Sequence, residues 1–379
     1  MNTPDTPDQS FPLGVIEGMY GAFWTPEDRL SFIPWLKSRG YDFYIYAPKG
    51  DACLRRLWFR EFSGEYLEGL AVLADAARKQ GLSFGVGFTP LNAVSLGADA
   101  PRGDFPEGEA AMLHRVAARV KDLTDRVKPD ILAVLFDDLK IDSHAAGKTQ
   151  NRILKCILDE LPESTRLITC PSFYSLDPIL EKIFGEMPPG YFEDFARDLP
   201  ERADIFWTGD RVMSSGYPLS SLEKAREIIG RKPFIWDNYP VNDGRKSSGH
   251  LYLAPPDSRE FLPEGARGIA VNPMKEHWLS RIPLSLIPEI LRARTPVTAE
   301  DKTRLLKQAL LRETSPEFTD FMLRECPDFS IRDREEFTPD ELENLARKTP
   351  ELSGSPGIAR DLRDFFRGRY IFDETCLTG

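Results

Sequence analysis

Short apolar runs alternate along this chain with longer amphipathic stretches, the pattern of strands covered by crossover helices. The apolar runs predict strands at Leu13 to Glu17, Tyr41 to Tyr46, Ser83 to Phe88, Ile131 to Phe136, Arg166 to Cys170, Asp204 to Thr208, Pro233 to Trp236 and Gly268 to Val271. Between them, Ala71, Leu73, Ala74 and Ala77 share one helical face before Gly81, and Leu222, Ala225, Ile228 and Ile229 share another before Gly230. Thr25, Pro26 and Asp28 read as an N-cap, a first-turn proline and a capping-box acid, with Pro34 expected to kink or restart that helix. The stretch from Asp99 to Gly108 is rich in Gly and Pro and reads as an irregular loop. Eight strands separated by helical connections predict an α/β chain folded as a closed (β/α)8 barrel of the TIM type.

The alternation stops near Leu291. Beyond it, Ala299 to Arg312 reads as a helix, Thr338, Pro339 and Glu341 form a capping signal ahead of Leu342 and Leu345, and Ile358 to Phe366 reads as a last helix. The expected organisation is therefore a disordered N-terminus at 1–10, a barrel at 11–294 and a small C-terminal helical domain at 295–379 that packs on the barrel or pairs subunits into a homodimer.

Composition narrows the function classes. The 379 residues carry a net charge of -11, which argues against a nucleic-acid partner, because phosphate backbones need a clustered cationic face. No run reaches the ~18 apolar residues of a membrane span, and the segment from Met1 to Ser10 is polar, with no basic-then-apolar leader. Cys53, Cys156, Cys170, Cys326 and Cys376 are odd in number and scattered, without zinc spacing, and read as reduced thiols of a cytoplasmic protein. His114, His144, His250 and His277 lie far apart and read as surface or loop residues, so no metal or other cofactor is expected.

The chemistry is concentrated where strands end. Asp137 and Asp138 close the apolar run 131–136, and burying two adjacent carboxylates without partners would cost several kcal/mol, so they must emerge at a mouth. Alone, the doublet reads equally as a solvated strand end, a pair of magnesium ligands or a catalytic pair. Active sites of such barrels form at the C-terminal ends of the strands, and there the chain also places Gly18, Lys49, Tyr174, Trp207, Asp210, Trp236, Asp237, Asn238, Asp243 and Asn272. Polar groups of this kind bind hydroxyls, while indole and phenol rings pack on the C–H face of a pyranose, so the set describes a sugar site. Trp207 and Trp58 read more readily as core than as ligands.

Six motifs carry a resemblance: the segment from Gly14 to Phe59, LFDDL at 135–139, TCPSFY at 169–174, FWTGD at 206–210, IWDNYPVND at 235–243 and VNPM at 271–274. In this order and spacing the chain resembles the family 84 glycoside hydrolases, the β-N-acetylglucosaminidases that include the O-GlcNAcases. The resemblance implies a retaining exo-β-N-acetylglucosaminidase in which the substrate's own 2-acetamido oxygen attacks the anomeric carbon to give an oxazoline, an exception to the two-carboxylate scheme. It implies that Asp137 polarises the acetamido N–H, that Asp138 is general acid and then base, and that Tyr174 bonds the acetamido group. It also implies that Lys49, Asn238, Asp243 and Asn272 bind the sugar, that the Gly18 backbone approaches the ring and that Trp236 walls the acetamido pocket. The expected partner is an N-acetylglucosamine-bearing glycoside or glycoprotein. A second acid is common in the family where Gly50 stands, an uncharged residue where Asp210 stands, an aromatic where Gly244 stands, and small residues where Glu276, His277 and Trp278 stand. Competing readings are a non-catalytic glycan-binding barrel and a metal-dependent hydrolase using the Asp137/Asp138 doublet.

Overall fold

The computed structural model describes residues 11–21, 24–93, 108–141, 143–351, 356–370 and 372–378. The expected N-terminal disorder at 1–10 and most of the expected loop at 99–108 lie outside them. Eight parallel strands close into a barrel in sequence order: β1 Leu13–Glu17, β2 Phe43–Tyr46, β3 Ser83–Phe88, β4 Ile131–Leu135, β5 Arg166–Cys170, β6 Asp204–Trp207, β7 Phe234–Asp237 and β8 Gly268–Val271. β1 seals the ring against β8, with Leu13 opposite Ile269, and pairs on its other side with β2, where Gly14 faces Phe43. All eight expected strands form. The second starts two residues late, because Tyr41 precedes the ladder and turns its hydroxyl to the Leu284 carbonyl at 2.7 Å.

The surrounding helices obey their local signals except at one proline. Helix Pro26–Ser38 starts with a complete capping box: Thr25 accepts from the Asp28 N–H at 3.1 Å and Asp28 accepts in return. It then runs uninterrupted through Pro34, contrary to the expected kink. Pro34 lies on the exposed face, where a carbonyl that loses its helical partner costs less than it would in the core. The same helix is anchored by Arg29, whose guanidinium makes two bonds, 2.8 and 2.6 Å, to the fully buried Glu17 at the end of β1, with the Tyr44 hydroxyl as a third partner. Helix Gly64–Lys79 buries Leu67, Leu70, Leu73, Ala74 and Ala77. Helix Leu219–Ile229 buries Leu222, Ala225 and Ile229 and stops at Gly230, whose φ of 74° is a left-handed value that glycine adopts without strain.

The tail forms helices Ala299–Glu313, Pro316–Glu325, Pro339–Lys348 and Pro356–Phe366. Leu310, Phe318, Phe321, Phe329, Leu345, Leu362, Phe365 and Phe366 build a second apolar core together with Leu251, Met274, Leu279 and Ile282 from the barrel side. Apolar packing thus crosses position 294. Helix His277–Leu284 serves both cores, since its Leu284 belongs to the barrel's.

Candidate active site

β4 ends at Leu135, and the chain continues extended long enough for the Phe136 N–H to reach the Cys170 carbonyl at 2.9 Å. Asp137 follows, buried, with one oxygen paired to the Lys49 ammonium and the other, Oδ1, buried without a hydrogen-bond partner. Asp138 then turns into the left-handed region at φ 58°, where aspartate is among the few tolerated side chains. That turn sends two neighbouring carboxylates into one cavity rather than to opposite faces of a strand. Asp138 accepts the Tyr20 hydroxyl on Oδ2 at 2.8 Å and the Tyr174 hydroxyl on Oδ1 at 2.9 Å. Burial, reinforced by the Asp137 carboxylate, raises the Asp138 carboxyl above the usual range, while Lys49 and the Tyr20 hydroxyl pull it partly back.

The cavity these acids enter is lined by Gly18, Lys49, Trp236, Asn238, Asp243 and Asn272, every one a candidate from the sequence, together with Tyr20, Tyr174, Val212 and the C-terminal Cys376 and Thr378. Trp236 is the packed wall. Its ring lies edge-on to Phe206 at 5.2 Å and so close to Gly18 that an added Cβ there would meet it at 2.4 Å. Asn238 Oδ1 accepts from the Trp236 indole at 2.9 Å and from Asn272 Nδ2 at 3.0 Å, and Asn272 Oδ1 accepts the Gly18 N–H at 3.1 Å. Four candidate residues from β1, β7 and β8 are thereby joined in one hydrogen-bonded wall. Asp243 accepts the Tyr20 N–H at 2.8 Å, and burial raises its carboxyl to about 6.

Comparison with known sequences places this geometry. A family model described as beta-N-acetylglucosaminidase matches residues 13–322, most of the chain. The chain belongs to the β-N-acetylglucosaminidase family. It is 30% identical over 282 residues to Protein O-GlcNAcase of Rattus norvegicus and, to the same extent, to that of Mus musculus. Each match covers 69% of this chain but only 28% of the relative, so the chain spans little more than a quarter of those proteins. A solved mutant of the Thermobaculum terrenum O-GlcNAc hydrolase superposes with a TM-score of 0.71 at 22% identity, covering 93% of this chain and 80% of that one, a likeness of fold.

Several residues near the family motifs turn out to support the site instead of lining it. Trp58 is fully buried and donates to the Leu91 carbonyl at 2.9 Å, and Trp207 packs near Phe192, 6.0 Å between ring centres. Asp237 is fully buried, gripped by Arg259 at 3.0 and 2.8 Å and by the Tyr217 hydroxyl at 3.1 Å. Asp210 is exposed and accepts from Ser221 at 2.6 Å, and the exposed Gly50 precedes Asp51, which gathers the Tyr46 and Tyr66 hydroxyls, each at 2.8 Å. Of the departures from the family pattern at Glu276, His277 and Trp278, Glu276 is buried and accepts from Asn242 Nδ2 at 2.8 Å, while Trp278 reaches the helical tail. Trp278 donates its backbone N–H to Asp361 at 2.7 Å and its indole N–H to Asp28 at 3.0 Å. His277 corrects the surface expectation: it is buried, packed 4.6 Å from the Trp24 ring, and burial lowers its pKa well below the usual value.

Tyr20 is the functional candidate that the sequence reading missed. It follows the end of β1 by three residues, inside the zone that singled out Gly18, and the same rule finds it. Cys376 and Thr378 have no such signal, because only tertiary packing brings the tail to the barrel mouth. Among the described residues no group of three or more His, Cys, Asp or Glu side chains is placed to hold a metal. The Lys49 ammonium against Asp137 would itself repel a cation there.

Proposed function

We propose that this chain is a retaining exo-β-N-acetylglucosaminidase that uses the substrate's acetamido group as nucleophile, acting on an N-acetylglucosamine-bearing glycoside or glycoprotein. The observation that carries this reading is the division of labour between the adjacent acids. Asp137 holds a buried oxygen with no partner, the acceptor an acetamide N–H requires, and Asp138 is biased toward its protonated form. In the first step the acetamido oxygen bonds to the anomeric carbon while the bond to the aglycone oxygen breaks and that oxygen takes the Asp138 proton. Asp137 strengthens its hold on the amide as positive charge develops on nitrogen, and Lys49 fixes its other oxygen. In the second step water gives its proton to the Asp138 carboxylate and opens the oxazoline from the same face the aglycone left, so configuration is retained.

Tyr174, Tyr20 and the Asn238–Asn272 wall orient the acids and the ring face, and Trp236 supplies the apolar surface for the acetamido methyl. The purified chain should release nitrophenol from an aryl N-acetyl-β-glucosaminide and be inhibited by a thiazoline mimic of the oxazoline. A protein that binds the mimic without hydrolysing any 2-acetamido glycoside would be a glycan-binding barrel instead.

A further inference from the structure

The C-terminal segment 372–378 lies across the candidate sugar pocket, where no step of the proposed reaction uses it. Its Cys376 is buried, with the thiol 4.0 Å from Asp243 Oδ1, and Thr378 lines the same cavity. The other Asp243 oxygen already accepts the Tyr20 N–H, so the thiol covers the oxygen that remains for a ligand hydroxyl. The cavity left is about 50 Å³, against ~300 Å³ at the small end of ligand pockets. Cys376 and Thr378 take up part of the room that a pyranose with its acetamido arm would need.

The segment is held by contacts of the kind that can release. The Arg245 guanidinium sits 4.4 Å over the Phe372 ring, and Lys275 Nζ donates to the Tyr370 carbonyl at 3.1 Å just before the segment. A turn closed by the Cys376 N–H on the Asp373 carbonyl at 2.9 Å gives it local shape. Leu377 is 58% exposed, so apolar burial does not lock the end in place. Cation–π contacts of this partly exposed type contribute only ~0.5–1 kcal/mol each.

We infer that the segment 372–378 is a displaceable strap that occupies the sugar-binding part of the pocket at Asp243 and must withdraw before substrate enters. This rests on the sugar reading of the pocket. A strap seated ~90% of the time would raise the apparent KM about tenfold while leaving kcat unchanged, because only the open fraction binds.

The test uses the full chain and the alkylation rate of Cys376 by iodoacetamide, followed by mass spectrometry of its peptide, with Cys53 as internal control. Saturating N-acetylglucosamine should speed alkylation of Cys376 and leave Cys53 unchanged. Slower or unchanged alkylation would show that the segment is a fixed wall of the site and would overturn the inference. The full-length variant Phe372→Ala should show faster Cys376 alkylation without any sugar, and a lower KM at unchanged kcat on the aryl glycoside. If the protein binds no sugar at all, the functional reading fails separately, and the sugar-free alkylation of Phe372→Ala still decides the strap: an unchanged rate overturns it.

Discussion

At the scale of single residues, the site depends on what surrounds each carboxylate. Asp138 is biased toward its protonated form by burial and by its neighbour Asp137, and in the proposed reaction Asp138→Asn removes the proton meant for the leaving group. The loss should reach ~10²–10⁴-fold on alkyl glycosides and be much smaller on nitrophenyl glycosides, whose aglycones leave without protonation. Equal losses on both would take Asp138 out of the acid role. Tyr20 gives a pH test with a definite sign. Its hydroxyl donates to Asp138 and favours the ionised form, so Tyr20→Phe raises the folded-state pKa of the acid. The basic limb of kcat/KM should move to higher pH, and an unmoved or lowered limb would contradict the assignment. Both acids were visible in the sequence as a charged doublet closing an apolar run. Their unequal environments were not, because Tyr20, Lys49 and Tyr174 reach them from three other strands' loops.

At the scale of elements, the strands were legible because β4 or β8 is apolar on both faces and too short for a helix. Two capped helices were legible because Thr25 and Thr338 each precede an acid three positions on, and both capping boxes form, while Thr298 makes a third with Asp301. Pro34 misled because its penalty depends on which face it occupies, a tertiary fact. Asp237 shows a different limit: its place between Trp236 and Asn238 reads as support for the loop, but its partners Arg259 and Tyr217 come from distant segments that no local pattern names. Asp237→Ala strands a fully buried guanidinium and should cost roughly 3–5 kcal/mol, read from a denaturant midpoint. A change below 1 kcal/mol would mean the pair is not sustaining β7.

At the scale of the whole molecule, the barrel gathers Gly18, Lys49, Asp137, Asp138, Tyr174, Trp236, Asn238, Asp243 and Asn272 from six strands at one mouth, which a linear sequence shows only through a fold hypothesis. The helical tail shares a core with the barrel and returns its last residues to that mouth, a relation no local pattern encodes. Among the described residues no helix is long and apolar enough to cross a membrane. The doublet is paired to a lysine and two tyrosines, so chelators should leave turnover unchanged, and restoration of a chelator-abolished rate by magnesium would revive the metal reading. The most direct test of acetamido participation is the rate on a series of aryl glycosides whose N-acetyl group carries none, one, two or three fluorines. Nucleophilic attack by the amide oxygen predicts a steep fall in kcat/KM with each fluorine and negligible hydrolysis of the matching 2-hydroxy glucoside. A flat series, or a glucoside cleaved as fast as the N-acetyl substrate, would contradict it.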